Sequence, residues 1–341
     1  MNIPTSNIEQ LRQLLDAAEK IAILSHTNPD GDALGSSLAL AEVLREKGHT
    51  VHCIVPNRYP YYLKWIPELS QTLIHSLDEE HRCESVIAEA DLIICADMSS
   101  LSRLEGLSEV ISANTSAKRV LIDHHLSPEE GFDVMFSCPE ASSTAFVVYN
   151  ILDALYGKEV FNEKIATQLY VGMITDTGNF AFSSLTPELF RAVAALSETG
   201  IDIPKIYNNV YNSFTEGRAR LFGYVINRKM KMLHKGTVAY MSLTEEEMRR
   251  FWFQQGDNEG FVNYPLTIKK MRMSAMFTEQ HGFIRVSLRS RGEVDVNTFA
   301  RRYFNGGGHK NAAGGKSFVS MEETIQHYID SVKEYHEEGL V

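Results

Sequence analysis

The sequence lacks any uninterrupted apolar run that approaches the roughly 20 residues of a membrane-spanning helix. Its N-terminus also lacks a basic segment followed by an apolar core, which is the pattern of a secretory signal peptide. Both absences argue against a membrane partner and against export. We therefore expect a cytoplasmic protein.

Cysteine is scarce, with four among 341 residues, and no two of them have the C-x-x-C spacing of a redox or zinc motif. A chain of this length can bury a core without disulfide bonds. We expect reduced thiols with mainly structural roles at Cys53, Cys83, Cys95 and Cys138.

Basic residues are outnumbered, with 33 Lys and Arg against 44 Asp and Glu, which gives a net charge of -11. Residues 1–219 contain 15 basic and 30 acidic residues, whereas residues 220–341 contain 18 and 14. The first part is suited to cations and the second to an anion, although undirected drift of surface charge would give the same counts. Long nucleic-acid tracts need many phosphate contacts, so we expect no long duplex partner.

The apolar patterns predict an α/β fold. Continuous apolar runs at 91–96 and 119–122 are typical of parallel strands buried on both faces, and they alternate with helical patterns. We predict a domain with a mainly parallel sheet flanked by helices at 1–195, a helical connector at 196–232 and a smaller α/β domain at 233–341. Further strands are predicted at 20–25, 51–55, 237–243, 274–278 and 283–288. The capping-box spacing of Ser6 and Glu9 predicts a first helix. Further helices are predicted near 34–44, 142–156, 162–174, 186–199, 203–232, 244–253, 259–270, 295–304 and 321–335.

Four segments bring carboxylates or imidazoles to the ends of predicted elements. Ligands collect at the carboxyl ends of strands in this architecture, so we expect the segments to meet. An ordinary turn or helix cap explains any one of them, but not all four together. The segments are the turn His26-Thr-Asn-Pro-Asp30-Gly-Asp32, the single Asp97, the triplet Asp123-His124-His125, and Asp176 within Thr-Asp-Thr-Gly.

Mixed imidazole and carboxylate ligands suit Mn²⁺, Mg²⁺ or iron better than a thiolate-rich zinc centre. Two divalent ions roughly 3.5 to 4 Å apart can share a carboxylate, activate a water and stabilise the oxygens of a reacting phosphate. We predict two such ions, with Mn²⁺ as the first choice and Mg²⁺ as the alternative. The sequence thus predicts hydrolysis of a phosphate ester.

The segments HTNPDGD, ICAD, DHH and TDTG resemble, in order, the four motifs of the DHH phosphoesterase superfamily. The resemblance implies that His26, Asp30 and Asp97 hold one metal, while Asp32, Asp97, His124 and Asp176 hold the other. His125 would then face the scissile phosphate, where it donates a hydrogen bond or a proton. Asp123 would orient a ligand or simply end a strand, and Arg103 would reach a phosphate or balance the acidic cluster.

A glycine loop in the second half indicates an anion site. Gly306, Gly307, Gly308 and His309 allow backbone N–H groups to converge on an anion, although a helix cap and a flexible turn are the alternative. Arg289, at the end of a predicted strand, is the basic residue we expect to point toward this loop.

VSLRS and GGGHKNAAGG resemble the DHH-associated C-terminal domain, which in this superfamily binds the part of a nucleotide substrate away from the cut. Two domains without extensions resemble the NrnA-type subgroup. This implies hydrolysis of short oligoribonucleotides to mononucleotides, and dephosphorylation of adenosine 3',5'-bisphosphate, with the loop holding one terminal nucleotide.

The sequence is also compatible with other functional hypotheses. They are a phosphodiesterase for cyclic dinucleotides or linear pApA-type products, a small-molecule phosphatase or pyrophosphatase, and a non-catalytic nucleotide sensor. A sensor predicts damage to the ligand set, which is intact here. The sequence does not determine the oligomeric state, and a homodimer is compatible with it.

Overall fold

A computed structural model describes residues 3–182 and 184–341. The chain divides into two compact units, Met1–Ser213 and Phe214–Val341. Across the described residues, no helix combines the length and the apolar character that crossing a membrane requires.

The first unit alternates strands with helices, as the sequence predicts. Its strands are β1 (Lys20–Leu24), β2 (Thr50–Val55), β3 (Leu73–Ile74), β4 (Leu92–Ala96), β5 (Lys118–Asp123) and β6 (Val134–Ser137). Its α-helices are α1 (Thr5–Ala17), α2 (Gly31–Glu46), α3 (Arg82–Glu89), α4 (Leu107–Ala113), α5 (Thr144–Tyr156), α6 (Glu163–Asp176), α7 (Pro187–Glu198) and α8 (Ile203–Tyr211).

These strands form one parallel sheet in the order β3-β2-β1-β4-β5-β6. One core packs α1, α2, α5 and α6 against one face, and a second core packs α3 and α4 against the other. Strands β1, β4 and β5 are central neighbours and are buried on both faces, which explains their continuous apolar runs. The predicted α/β class with a parallel sheet is confirmed.

Two glycines allow α2 and α6 to cross closely. A Cβ at Gly35 would collide with the backbone carbonyl oxygen of Gln168, and one at Gly172 would lie 2.8 Å from Asp32 Oδ1. Asp32 lies in the first turn of α2, and Asp176 ends α6. The glycines therefore bring these two carboxylates toward each other.

The predicted capping box at the start of α1 does not form. Pro4 occupies the N-cap position, and the Ser6 hydroxyl bonds the Asn7 side chain instead. Proline is favoured near a helix start because it fixes φ in advance, and here it displaces the serine cap. The helix itself lies where the apolar spacing predicts it.

The second unit contains six strands, β7 (Lys231–Leu233), β8 (Val238–Leu243), β9 (Met273–Gln280), β10 (Phe283–Ser290), β11 (Gly307–His309) and β12 (Ala312–Ser317). They form one mixed sheet in the order β11-β12-β10-β9-β8-β7, in which only the β8–β9 pairing is parallel. The α-helices of this unit are α9 (Glu216–Tyr224), α10 (Glu245–Arg250), α11 (Val296–Tyr303) and α12 (Met321–Glu337).

Three local predictions in this half differ from the structure. The predicted helix at 259–270 is a 3-10 segment, Phe261–Thr267, because Pro265 cannot donate an α-helical hydrogen bond. The predicted helical stretch 203–232 is broken between α8 and α9, where the unit boundary falls. The glycine segment predicted as a loop pairs with β12 as the edge strand β11.

The four cysteines are free and buried. Burial raises the pKa of Cys53 and of Cys95 to about 12 and that of Cys138 to about 11. Thiols with such pKa values stay protonated and unreactive near neutral pH. The prediction of structural thiols is therefore confirmed.

Candidate active site

The structure brings the four predicted segments together beyond the carboxyl ends of β1, β4 and β5. Asp97 is central, because its Oδ2 lies 3.4 Å from His26 Nε2 and its Oδ1 lies 3.7 Å from His124 Nε2. His124 Nε2 is also 3.4 Å from Asp176 Oδ2 and 3.8 Å from Asp32 Oδ2. Asp176 is the most exposed of the set, while the others are almost completely buried.

Three overlapping sets of side chains have ligand atoms within 4.8 Å of one another and could hold metal ions. Asp97 and His124 each belong to two of these sets, so neighbouring ions would share ligands. The sets are His26, Asp30 and Asp97; Asp32, His124 and Asp176; and Asp97, His124 and His125. All six residues that the sequence nominates as metal ligands are included.

The orientation of two histidines suits metal binding. His26 Nδ1 donates to the Thr27 carbonyl at 2.9 Å, and His124 Nδ1 donates to the Ala141 carbonyl at 3.3 Å. A neutral imidazole that donates from Nδ1 carries its lone pair on Nε2, and in both residues Nε2 faces carboxylates. Two acceptors that face each other need a proton or a cation between them, so the donor set fits divalent metal ions.

The backbone at Asp97 is held in an unusual conformation. Its φ is +60°, in the left-handed region that non-glycine residues rarely adopt, and its N–H bonds the Ile122 carbonyl at 2.9 Å. The Thr144 hydroxyl donates to Asp97 Oδ1 at 2.9 Å. Strain of this kind clusters at functional sites because the surrounding contacts maintain it.

Asp32 binds the N-terminus of α5. Its two carboxylate oxygens accept the N–H groups of Thr144 and Ala145 at 2.7 and 2.8 Å. These N–H groups, which have no partner within the helix, and the positive end of the helix dipole stabilise the carboxylate. Sequence reasoning missed Thr144, although Ser142-Ser143-Thr144 before an apolar run is a helix-start pattern, and Ser143 is in fact the N-cap.

The pKa values of Asp32 and Asp97 are shifted in opposite directions. Burial raises the pKa of Asp32 well above its ordinary value, and the charges of Asp97, Asp176 and Asp30 raise it further. Burial also acts to raise the pKa of Asp97, but a hydrogen bond from His26 and the charges of His125 and His124 outweigh it and lower that pKa. Unequal carboxylates in one site are typical of functional centres.

The pKa of His124 shows the same charge balance. Burial acts to lower it, but the negative charges of Asp176 and Asp97 outweigh that effect, so the pKa of His124 lies above its ordinary value. The cluster as a whole therefore favours bound positive charge, whether carried by protons or by cations.

His125 lies between Asp123 and Arg103. Its Nδ1 is 2.7 Å from Asp123 Oδ1, and its Nε2 is 3.1 Å from Arg103 Nη1. A guanidinium cannot accept a hydrogen bond, so Nε2 accepts and Nδ1 donates. Burial lowers the pKa of His125, the Arg103 charge lowers it further, and Asp123 acts against both. Asp123 thus orients His125 rather than one of the nominated metal ligands, and it is fully buried.

In the second unit, sheet register places Arg289 and the glycine segment on one face. One row across strands β10, β12 and β11 consists of Arg289, Ala312 and His309. A second row across the same strands consists of Ser287, Gly314 and Gly307. Because side chains alternate between faces, these residues share the face away from Val286 and Leu288. The result is a strip of small residues with Arg289 and His309 at one end.

Packing explains part of the glycine content here. A Cβ at Gly306 would collide with the Gly314 carbonyl, and Gly308 has φ +149° and donates its N–H to Asn297 Oδ1 at 3.0 Å. At Gly307 a Cβ would make only ordinary contacts, the nearest 3.5 Å away. Gly307 is therefore the glycine of this segment that packing does not require.

Comparison with known proteins supports the arrangement. Residues 20–173 match the DHH family, N-terminal domain, and residues 235–338 match the DHHA1 domain. The chain is 38% identical to a solved exopolyphosphatase-related protein from Bacteroides fragilis, covering 98% of this chain and 97% of that one with a TM-score of 0.90.

Several curated relatives share one name. The bifunctional oligoribonuclease and PAP phosphatase NrnA of Bacillus subtilis is 28% identical, covering 92% of this chain and 94% of the relative. The protein of that name from Thermus thermophilus is 26% identical, covering 94% and 92%. The chain therefore belongs to the DHH family of phosphoesterases, hydrolases of phosphate esters, with its N-terminal domain followed by a DHHA1 domain.

Proposed function

We propose that this protein is a metal-dependent phosphodiesterase that hydrolyses short oligoribonucleotides to mononucleotides. It also removes the 3'-phosphate of adenosine 3',5'-bisphosphate. The NrnA name of the Bacillus subtilis and Thermus thermophilus relatives supports this choice of substrates. The observation that carries the proposal is the overlap of the three imidazole–carboxylate sets around Asp97 and His124.

We assign the ligands from the donor sets and add Asp97, which lies 3.7 Å from His124, to the set of Asp32, His124 and Asp176. His26, Asp30 and Asp97 would hold one ion, and Asp32, Asp97, His124 and Asp176 would hold the other. Manganese is the ion we propose, because hard oxygen donors with imidazole suit Mn²⁺, and no cysteine is among the donors. A bound pair of ions would supply an activated water and would neutralise the charge on the phosphate.

The groups beside the cluster act on the substrate. His125 and Arg103 form one hydrogen-bonded unit next to Asp97, with His125 Nδ1 3.7 Å from Asp97 Oδ1. Arg103 presents a permanently charged guanidinium that binds a phosphate oxygen. When Arg103 turns to the phosphate, His125 Nε2 loses its donor and can take up a proton, which Asp123 stabilises and which His125 can deliver to the leaving oxygen.

The strip on the second sheet serves the nucleotide. Arg289 and His309 offer donors for a phosphate, and Ser287, Gly314 and Gly307 leave room above the strands for a base and ribose. Simple pyrophosphate would not need such a surface. This favours a nucleotide substrate over the small-molecule phosphatase alternative.

The test is turnover of a substrate panel. Purified protein with Mn²⁺ should release mononucleotide from a diribonucleotide and phosphate from adenosine 3',5'-bisphosphate. Chromatography measures both products. Asp97→Asn should lower kcat by at least about 10³-fold, because removal of a shared ligand disrupts both metal sites. Asp16→Asn, the same change on the exposed face of α1, is the matched control and should leave kcat unchanged.

The panel also contains a cyclic dinucleotide, linear pApA and pyrophosphate. Preferential cleavage of the cyclic dinucleotide would replace the proposed substrate class, and turnover of pyrophosphate alone would make the protein a small-molecule phosphatase. Nucleotide binding without Mn²⁺-dependent turnover of any compound would show a sensor instead.

A further inference from the structure

A cavity lies in the first unit, at the open edge of the parallel sheet. Its volume is about 500 Å³, within the range of roughly 300 to 1,000 Å³ of small-molecule sites. Strand β3 pairs with Ile54 and Val55, and within residues 3–182 and 184–341 no strand pairs with the first part of β2 on that side. The cavity is lined there by Thr50, Val51 and His52.

The charges that line this cavity are positive. Arg45 comes from α2 and Arg82 from α3, and none of the lining residues is Asp or Glu. His49, just before β2, and His52, within it, also line the cavity. This is unusual within residues 1–219, where acidic residues outnumber basic ones two to one, 30 against 15. A concave site lined by one sign of charge attracts ions of the opposite sign.

The two arginines are held differently. Arg45 donates to the Val51 carbonyl from Nε at 3.1 Å and from Nη2 at 2.9 Å, and its nearest carboxylate, on Glu42, lies 3.9 Å away. Arg82 is exposed, and within the described part of the chain no carboxylate oxygen lies within 4 Å of its guanidinium. Arg45 therefore forms a fixed wall, and Arg82 retains its donors for a ligand.

The pKa of His52 depends on the charges of the two arginines. Burial lowers the pKa of His52, and the charges of Arg82 and Arg45 lower it further. An anion bound between the arginines would oppose the lowering of the His52 pKa by the charges of Arg82 and Arg45. His52 therefore provides a local reporter of anion binding.

Thr72, at the cavity wall, has a hydroxyl group whose hydrogen-bonding capacity is not satisfied by the described residues. Thr72 is 92% buried, and its Oγ1 has no hydrogen-bond partner among residues 3–182 and 184–341. Buried hydroxyls without a partner are uncommon, and a bound ligand or water usually explains them. Gln71, beside Thr72 in the lining, already donates from Nε2 to the Glu68 carboxylate, so only its second amide N–H remains for a ligand.

We propose that this edge cavity binds a phosphate dianion, either inorganic phosphate or the phosphate group of a mononucleotide. Arg82 binds its oxygens, Arg45 adds a fixed positive charge at the wall, and His52 and Thr72 complete the site. None of the lining residues belongs to the imidazole–carboxylate cluster, so the site is separate from the catalytic one. The proposal holds whichever phosphate ester the enzyme hydrolyses.

Equilibrium dialysis of the Mn²⁺-loaded protein measures this site. One set of samples contains labelled inorganic phosphate and another contains labelled AMP. Wild-type protein should bind one more phosphate or AMP per chain than Arg82→Glu, and the affinity of that site should fall at least tenfold in Arg82→Gln. Binding of both probes identifies the phosphate group as sufficient, whereas binding of AMP alone identifies a mononucleotide site.

Arg191→Glu is the matched control, because Arg191 is also exposed and lies on α7 outside the cavity. It should retain the additional binding. The imidazole resonances of His52 should shift on phosphate addition in wild type and not in Arg82→Glu. Equal stoichiometry and affinity in wild type and both Arg82 variants, or His52 resonances that do not respond, would rule out the site.

Discussion

At the scale of single residues, Thr144 connects the start of α5 to the shared carboxylate. Its hydroxyl donates to Asp97 Oδ1 at 2.9 Å, while its N–H donates to Asp32 at 2.7 Å. One residue thus orients two nominated metal ligands. Groups that orient ligands affect metal affinity almost as strongly as the ligands themselves.

Thr144→Val should weaken Mn²⁺ binding about 10- to 100-fold, because Asp97 loses the donor that orients it. The free energy of unfolding should fall by about 1.5 to 3 kcal/mol, the contribution of a hydrogen bond to a charged group. Calorimetric titration with Mn²⁺ and chemical denaturation measure the two effects.

Thr144→Ser keeps the hydroxyl and should bind Mn²⁺ nearly as tightly as wild type. Thr115→Val, at an exposed position, should change neither quantity. If Thr144→Val bound Mn²⁺ with wild-type affinity, the hydroxyl would have no role in orienting Asp97.

At the scale of elements, the crossing of α2 and α6 determines how closely Asp32 and Asp176 approach. Gly35→Ala should lower the free energy of unfolding by about 1 to 3 kcal/mol, because the new methyl group meets the Gln168 carbonyl and the helices must separate. Displacement of the carboxylates by even 1 Å should cost about 10²-fold in kcat. Thermal denaturation and kcat measurements test both.

Gly223→Ala is the control for helix propensity. Gly223 lies inside α9, and a Cβ there has no atom within 4 Å. The substitution should raise the free energy of unfolding by up to about 1 kcal/mol and leave kcat unchanged. If Gly35→Ala behaved in the same way, close helix packing would not explain that glycine.

The edge strand β11 allows packing to be separated from substrate binding. Gly307→Ala should change the free energy of unfolding by no more than about 0.5 kcal/mol, because only ordinary contacts await its Cβ. It should nevertheless raise KM for a diribonucleotide about tenfold, since the methyl group would lie next to Asn297 and Arg301 and take up room in the strip that contains Arg289 and His309. Gly306→Ala, in contrast, should destabilise the fold. An unchanged KM in Gly307→Ala would remove this strip from the substrate site.

Several elements were predictable because their patterns depend on local spacing. Strands β1, β4 and β5 carry continuous apolar runs, and the polar residues that follow them identify the site. The short strands β3, β7 and β11 were not predictable, since two or three residues carry no periodicity and depend on their neighbours. For Gly307–His309, glycine content indicated a loop, whereas pairing with β12 makes it a strand.

Within the site, residue types were predictable and their contacts were not. Asp123 next to two histidines suggested an orienting role, but only three-dimensional contact shows that it acts on His125. The left-handed φ of Asp97 and the contact of Asp32 with α5 arise from packing between distant segments. No local pattern encodes either feature.

At the scale of the whole molecule, the acidic cluster makes stability depend on metal and pH together. The folded-state pKa of Asp32 and that of His124 are raised, so both groups favour the folded state when protonated. That contribution is present at low pH and is lost as pH rises through the folded-state pKa values. Mn²⁺ replaces those protons, so it should stabilise the protein more at pH 8 than at pH 5.5.

At pH 8 and 100-fold excess over its dissociation constant, Mn²⁺ should add about 2.7 kcal/mol to the free energy of unfolding. Scanning calorimetry of protein treated with EDTA and then with Mn²⁺, at both pH values, measures the difference. The pKa of His125 is lowered in the folded state, so its protonation disfavours folding and opposes the contribution of Asp32 and His124. EDTA does not change the contribution of His125 unless His125 binds metal. Equal stabilisation at both pH values, or in Asp97→Asn, would contradict the expected proton exchange.

The order β2-β1-β4-β5 has a consequence for folding kinetics. The nominated ligands extend from His26 to Asp176 along the chain, and they meet only after β1 has paired with β4, β4 with β5, and α6 has packed on α2. Contacts between such distant segments form slowly, because each closes a long loop. The capacity to bind Mn²⁺ should therefore appear late in refolding, after most helical signal has recovered. Metal uptake would then report the moment at which the first unit completes its topology.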